Sequence, residues 1–128
     1  MQGNFLVIIE DFAERHFIKS FQKKYQRNWD MTRLSIVAEL ERVDNLLLTD
    51  RAETISYAGG LQIIKTKFRV VGTKESAKSS GNRCIVALNK EKQSVSVLLV
   101  YTKTDLSGKN ETAEWKAILK EHYKIVCR

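Results

Sequence analysis

Between residues 61 and 102 the chain carries three apolar stretches of strand length, and only two short polar segments separate them. No other feature limits the fold as much. Residues 61–71 (LQIIKTKFRVV) alternate with a period of two. Ile64, Phe68 and Val70 fall on one face of such a strand, and Lys65, Lys67 and Arg69 on the other. Residues 83–88 (RCIVAL) read as a buried strand, and residues 95–102 (VSVLLVYT) are the most strand-like in the chain. Between them, residues 72–81 (GTKESAKSSG) are small and polar and predict a flexible loop, and residues 89–93 predict a turn. Three consecutive strands with short connections favour an antiparallel meander.

The remaining segments supply helices. Residues 5–9 (FLVII) read as a short strand. From Asp11 the period changes: Phe17, Phe21 and Tyr25 recur at i+4 with polar residues between them, one face of an amphipathic helix. Asn28-Trp29-Asp30 interrupts this pattern. Asp30 or Thr32 caps a second helix, whose stripe is Ile36, Leu40, Val43 and Leu47, broadened by Leu34, Val37 and Leu46. It should end before Thr49-Asp50. Gly59-Gly60 marks a turn. After a loop at 105–110, a last helix starts at Thr112 and carries Trp115, Ile118 or Leu119, and Tyr123. The order β-α-α-β-β-β-α defines an α+β fold in one domain, 1–128. A small antiparallel sheet, a three-strand C-terminal meander plus the N-terminal strand, is backed by two N-terminal helices, with a C-terminal helix. The two helices cover one sheet face and leave the other to present Lys65, Lys67 and Arg69.

Charge points to a partner. The 128 residues carry a formal net charge of +7, which attracts polyanions such as RNA, DNA, an acidic protein or an anionic membrane. The excess is local. Residues 59–83 hold Lys65, Lys67, Arg69, Lys74, Lys78 and Arg83 against Glu75 alone, a net of +5, whereas residues 1–58 are close to neutral. A charge carried for solubility would be spread evenly, so this bias predicts an anion-binding surface.

Several classes are excluded. No apolar run approaches the ~18 residues that span a bilayer. Acidic Glu10 and Asp11 follow only five apolar residues, so no secretory signal is readable. Cys84 and Cys127 are too few for a disulfide scaffold or a Cys-rich zinc site. They are expected to be reduced thiols in a cytosol, Cys84 in the core and Cys127 inert near the chain end. There is no phosphate-binding GxGxxG or Walker pattern. Ser79 and Ser80 lack a neighbouring His and acid, and no HxH, HExxH or carboxylate cluster offers a metal site. No cofactor is expected.

The middle of the chain resembles a known family. Gly59-Gly60-Leu61, Ile64-Lys65, the loop Lys78-Ser79-Ser80-Gly81-Asn82-Arg83 and the stretch Leu98-Leu99-Val100-Tyr101-Thr102-Lys103-Thr104-Asp105-Leu106 follow one another as in the HigB/RelE-like toxins of bacterial type II toxin–antitoxin systems. That family has a Lys-Ser-Gly-Gly-x-Arg type of loop; here Ser stands where a second glycine is usual. The resemblance spans about residues 59–120. It implies a RelE/ParE-like fold and a metal-independent endoribonuclease that cuts mRNA in the ribosomal A site in the bacterial cytoplasm. The implied partners are translated mRNA, ribosomal RNA and a cognate acidic antitoxin, with no membrane and no small-molecule cofactor.

RNA cleavage without a metal needs a base for the 2′-OH, an acid for the departing 5′-oxygen, and cations for the phosphorane. His16 and His122 read as surface or capping residues, so proton transfer falls to lysines, whose pKa neighbouring cations lower. Lys67 is the candidate base and Lys103 the candidate acid, and the two roles are interchangeable on sequence grounds. Arg69 and Arg83 would hold the scissile phosphate. Lys65, Lys74 and Lys78 would contact flanking phosphates, and Tyr101 would stack on a base or orient a lysine. Two further readings remain open: a ParE-like toxin that inhibits DNA gyrase and cleaves nothing, and an inactive RNA-binding relative.

Overall fold

The computed structural model describes residues 4–106 and 110–127. The elements are β1 (Leu6–Ile9), α1 (Asp11–Ala13), a π-helical turn (Glu14–Ile18), α2 (Lys19–Tyr25), α3 (Arg27–Glu41), α4 (Val43–Leu46), β2 (Ala52–Ala58), β3 (Leu61–Lys67), β4 (Asn82–Asn89), β5 (Ser94–Thr102), a 3₁₀ turn (Lys103–Asp105) and α5 (Glu111–Tyr123). The loop expected at 105–110 lies partly outside the described residues.

The α+β class holds, with a larger and mixed sheet. Five strands run in the order β1-β5-β4-β3-β2. β2 to β5 form an antiparallel meander of four strands, not three. β1 pairs parallel to β5, from Leu6↔Ser94 to Ile9↔Val97. The expected antiparallel sheet is corrected on both counts. β2 (AETISYA) escapes the apolar pattern because it is an edge strand with mostly half-exposed or exposed side chains. The glycine pair then has a specific task. Ala58 pairs with Leu61, and Gly59 and Gly60 between them have φ of 53° and 84°. A two-residue hairpin turn with both φ positive is open to glycine at little cost.

The helical boundaries shift for local reasons. The break after α2 falls at Gln26 (φ 50°), two residues before Asn28-Trp29-Asp30. Thr32 is no cap. It is buried within α3, donates to the Asn28 carbonyl at 2.7 Å and accepts from the Val71 N–H at 2.8 Å, tying α3 to the chain beyond β3. The π-turn rotates the side chains of the first helical run. Ile18 and Phe21 enter one core while Phe12 and Phe17 pack against another. Leu34 stands 72% exposed, outside the stripe to which its spacing assigned it. α5 starts at Glu111, with the Asn110 side chain accepting from the Ala113 N–H at 3.1 Å.

Two cores flank the sheet. One lies under α2, α3 and α4, where Phe21 stacks on Trp29 at 4.9 Å and both meet Phe68. The other lies under α5, where Trp115 and Leu119 pack on Ile63, Ile85, Leu99 and Tyr101, all fully buried. Each such side chain contributes about 1.5–3 kcal/mol of burial. α5 therefore covers much of the face expected to be free, leaving the end where β3 stops, β4 starts and β5 stops. Among the described residues, no helix is long and apolar enough to cross a membrane.

Candidate functional site

Strand register assembles the basic cluster. Lys67 at the end of β3 pairs with Arg83 at the start of β4, and Arg83 with Tyr101 near the end of β5. Alternation puts all three on the α5 face of the sheet in one transverse row. Lys65 lies on the same face, beside Ile85. Its ammonium is 3.8 Å from the Glu53 carboxylate on β2, and it is largely buried against the sheet. Lys67 is half-buried, its backbone N–H donating to the Arg51 carbonyl at 2.7 Å.

Arg83 is 5% exposed. Its guanidinium donates to the Asn82 carbonyl at 2.9 Å and to the Ala77 and Lys78 carbonyls, each at 3.4 Å. Among the described residues no carboxylate pairs with it. The residue therefore folds the 72–81 loop around itself through backbone carbonyls, with no carboxylate partner among the described residues. Ser80, the departure from the glycine-rich loop, knots the same segment. Its hydroxyl lies 2.8 Å from the Phe68 carbonyl and 2.9 Å from the Ala77 carbonyl, and it accepts from the Asn82 N–H at 3.0 Å.

Tyr101 is not available for stacking. Its ring is fully buried in the α5 core, and its hydroxyl donates to Glu111 Oε2 at 2.6 Å. Burial first, then the Glu111 carboxylate, push its ionisation well above the ordinary phenol range. It is a fixed neutral donor beside Arg83, a role closer to orienting than to base contact.

The other expected residues divide. Lys78 reaches Asp50 at 2.6 Å, with both side chains exposed. The hydrogen bond and charge of Lys78, with Lys67 adding a smaller attraction, hold the Asp50 carboxyl below the usual range. Lys78 and Lys67 thus share one acidic neighbour. Lys103 is exposed on the 3₁₀ turn, its stem 3.5–3.7 Å from where a Cβ on Gly81 would sit. It shares the sheet end with Arg83. Arg69 does not join the row. β3 ends at Lys67, so Arg69 is exposed in the following segment, and its guanidinium donates to the Thr73 carbonyl at 3.3 Å. Lys74 is exposed further along the loop.

Sequence reasoning missed the acids. Glu53, Asp50 and Glu111 each engage a member of the cluster. Glu53 was findable in principle, since a Gly-Gly pair after Thr54-Ile55-Ser56-Tyr57 is a hairpin signal that implies β2. Cys84 lies in the core as expected, its thiol pushed up to about 12 by burial. Among the described residues no three His, Cys, Asp or Glu side chains gather to hold a metal ion.

The architecture, a mixed sheet between N-terminal helices and a C-terminal helix, is that of a RelE-like α+β fold. Of the comparisons with known proteins, the one with solved structures agrees with it. No protein-family model and no curated protein matches the chain. Among solved structures it is similar to a chain of the archaeal RelE–RelB complex from Pyrococcus horikoshii OT3. The TM-score is 0.55 over 80% of this chain and 99% of that one, at 13% identity. This is a likeness of fold.

Proposed function

We propose that the protein is a ribosome-dependent endoribonuclease toxin that cleaves translated mRNA in the A site, is neutralised by a cognate acidic antitoxin, and acts in the bacterial cytoplasm. The observation that carries this reading is the Lys67–Arg83 pair. A half-buried lysine sits in register beside a buried guanidinium with no acidic partner among the described residues. Two cations so placed attract a phosphodiester.

In the reaction, the RNA 2′-OH attacks its adjacent phosphorus and the bond to the 5′-oxygen breaks. The products are a 2′,3′-cyclic phosphate and a 5′-OH. One lysine removes the 2′ proton and the other returns a proton to the leaving oxygen. Lys67 and Lys103 fill these roles in either order. Arg83 stabilises charge on the phosphorane, and Lys65, Lys78, Lys74 and Arg69 meet flanking phosphates or ribosomal RNA. Tyr101 orients the row through Glu111 and Arg83. The fold's likeness to a chain of a RelE–RelB complex supports an antitoxin partner, and the net +7 favours an acidic one.

Induced expression in bacteria, with transcripts mapped by primer extension, tests the reading. Wild type is expected to stop growth and break transcripts within translated frames, and a Lys67→Ala, Lys103→Ala double variant to do neither. Growth arrest with intact transcripts would favour the gyrase-type reading. A toxic, cleaving double variant would overturn the assignment of these lysines.

A further inference from the structure

A cleft of about 310 Å³ opens where α2, the 72–81 loop and the end of β5 meet. Its size is at the lower end of the ~300–1,000 Å³ typical of small-molecule sites. It lies on the helix side of the sheet, so the Lys67–Arg83 row is not part of it. Tyr25, Phe21 and Lys24 of α2 form one wall, and Asn82 and Asp105 stand among the residues opposite.

Asn82 is what points to a ligand. It is 6% exposed. Its backbone is fully used: the N–H donates to Ser80, and the carbonyl accepts from Phe68 and Arg83. Its carboxamide has no hydrogen-bond partner among the described residues. Nor is the group sealed in: among those residues, the indole nitrogens of Trp29 and Trp115 are the buried side-chain polar atoms left unpaired. The carboxamide therefore opens on the cleft, offering one acceptor and two donors in a plane.

The lining selects the ligand class. Lys24 is the one cation of the lining against two carboxylates, Glu75 and Asp105, so an anionic group is not what the walls attract. The half-buried Tyr25 ring, stacked on Phe21 at 6.2 Å, carries the Lys24 ammonium 5.2 Å over it, so a stacked group takes the place of this flexible, solvent-reaching side chain. A flat, neutral group with a donor–acceptor edge fits all of this, and a nucleobase is such a group. Asn82 and Arg83 are consecutive residues on opposite faces of β4. A strand crossing this end of the sheet can put phosphate on one face and a base on the other.

We propose that the cleft binds one unpaired base of the RNA, with Asn82 hydrogen-bonding to the base edge and Tyr25 stacking on its face. The proposal rests on the RNA reading above and adds a specificity site to it. The test is an NMR titration of the intact protein with the four nucleosides and their 5′-monophosphates, following the Trp29 indole and Asn82 carboxamide signals. At least one nucleoside should give saturable shifts, and its monophosphate should bind within about two-fold of it. Asn82→Ala and Tyr25→Leu should each weaken binding about ten-fold. Lys90→Ala, in the distant β4–β5 turn, should change nothing. Tyr25→Leu keeps the test decisive if Asn82→Ala fails to fold.

Three results overturn the proposal: no saturable shift with any nucleoside, binding of monophosphates alone, or full binding by both cleft variants. The two readings fail separately. Nucleoside binding without mRNA cleavage removes the nuclease and keeps the cleft. Cleavage by wild type with unmoved cleft signals removes the cleft alone.

Discussion

Removing the Arg83 guanidinium tests whether one residue both folds the loop and carries the site's charge. Arg83→Met keeps most of the apolar stem and deletes the fork. The loss is one good charge-assisted hydrogen bond at 2.9 Å and two at 3.4 Å, near the limit of useful geometry. Together these contribute about 2–3 kcal/mol. Against this, the wild type buries a cation that no carboxylate neutralises among the described residues, and the variant recovers part of that desolvation. The net destabilisation is then about 1–2 kcal/mol. For a chain of 128 residues this lowers Tm by about 4–8 °C. Thermal unfolding measures the total, and hydrogen exchange localises it: amides of residues 76–82 should lose protection while those of β5 keep theirs. Arg83→Lys retains charge without the fork and should fall in between. A Tm within about 1 °C of wild type, with loop amides unchanged, would refute the claim that Arg83 holds the loop.

Other consequences follow from burial and strain. Tyr101 and Tyr123 are both held neutral mainly by burial, with ionisation raised above the ordinary range, whereas an unfolded phenol titrates near 10. Their contribution is complete below pH ~10 and is lost as pH rises beyond it. Each steepens the alkaline loss of stability by up to about 1.4 kcal/mol per pH unit, so Tyr101→Phe should flatten a stability–pH curve measured by urea unfolding. Cys84 is buried with its thiol pushed up to about 12, and Cys127 is only partly buried. A thiol reagent should therefore label one cysteine in the native protein and two in denaturant, and fast native labelling of both would contradict the packing of β4. Gly60→Ala should cost about 1–2 kcal/mol in thermal unfolding, because φ of 84° places a Cβ in the left-handed region although space is free around it. Asp50→Asn should release Lys78. In wild type the same contact weakens as pH falls through the depressed Asp50 value, visible as a shift of the Lys78 side-chain NMR signal.

The central strands were legible because β4 and β5 sit in the middle of the sheet with both faces covered, and their side chains are almost all buried. Such strands show as unbroken apolar runs. β2 was not legible as a run because its edge position tolerates Glu53, Thr54 and Tyr57 in solvent. For the site, Lys65, Lys67 and Arg83 could be gathered from spacing because cross-strand register follows from alternation and short loops. Arg69 could not be excluded the same way. The alternating pattern continues through it, while the chain leaves the ladder at Phe68 to meet Thr32 on α3. Tyr101 has a strand-facing pattern that fits either a surface aromatic or a core one, and α5 decides the matter.

Local order thus determined the strands other than β2 and the main helical segments, where glycine must turn the chain, and that cationic charge concentrates in residues 59–83. These depend on side-chain period, φ preference and composition, which neighbouring residues already encode. The tertiary structure alone decided that β1 joins β5 in parallel, that α5 closes the second sheet face over Tyr101, and that Asp50 and Glu111 engage the basic cluster. It also placed the Asn82 carboxamide, unpartnered among the described residues, on a cleft whose walls come from residues 20 to 105. Such features arise where segments far apart in the chain compete for the same buried area, and no local window carries that competition.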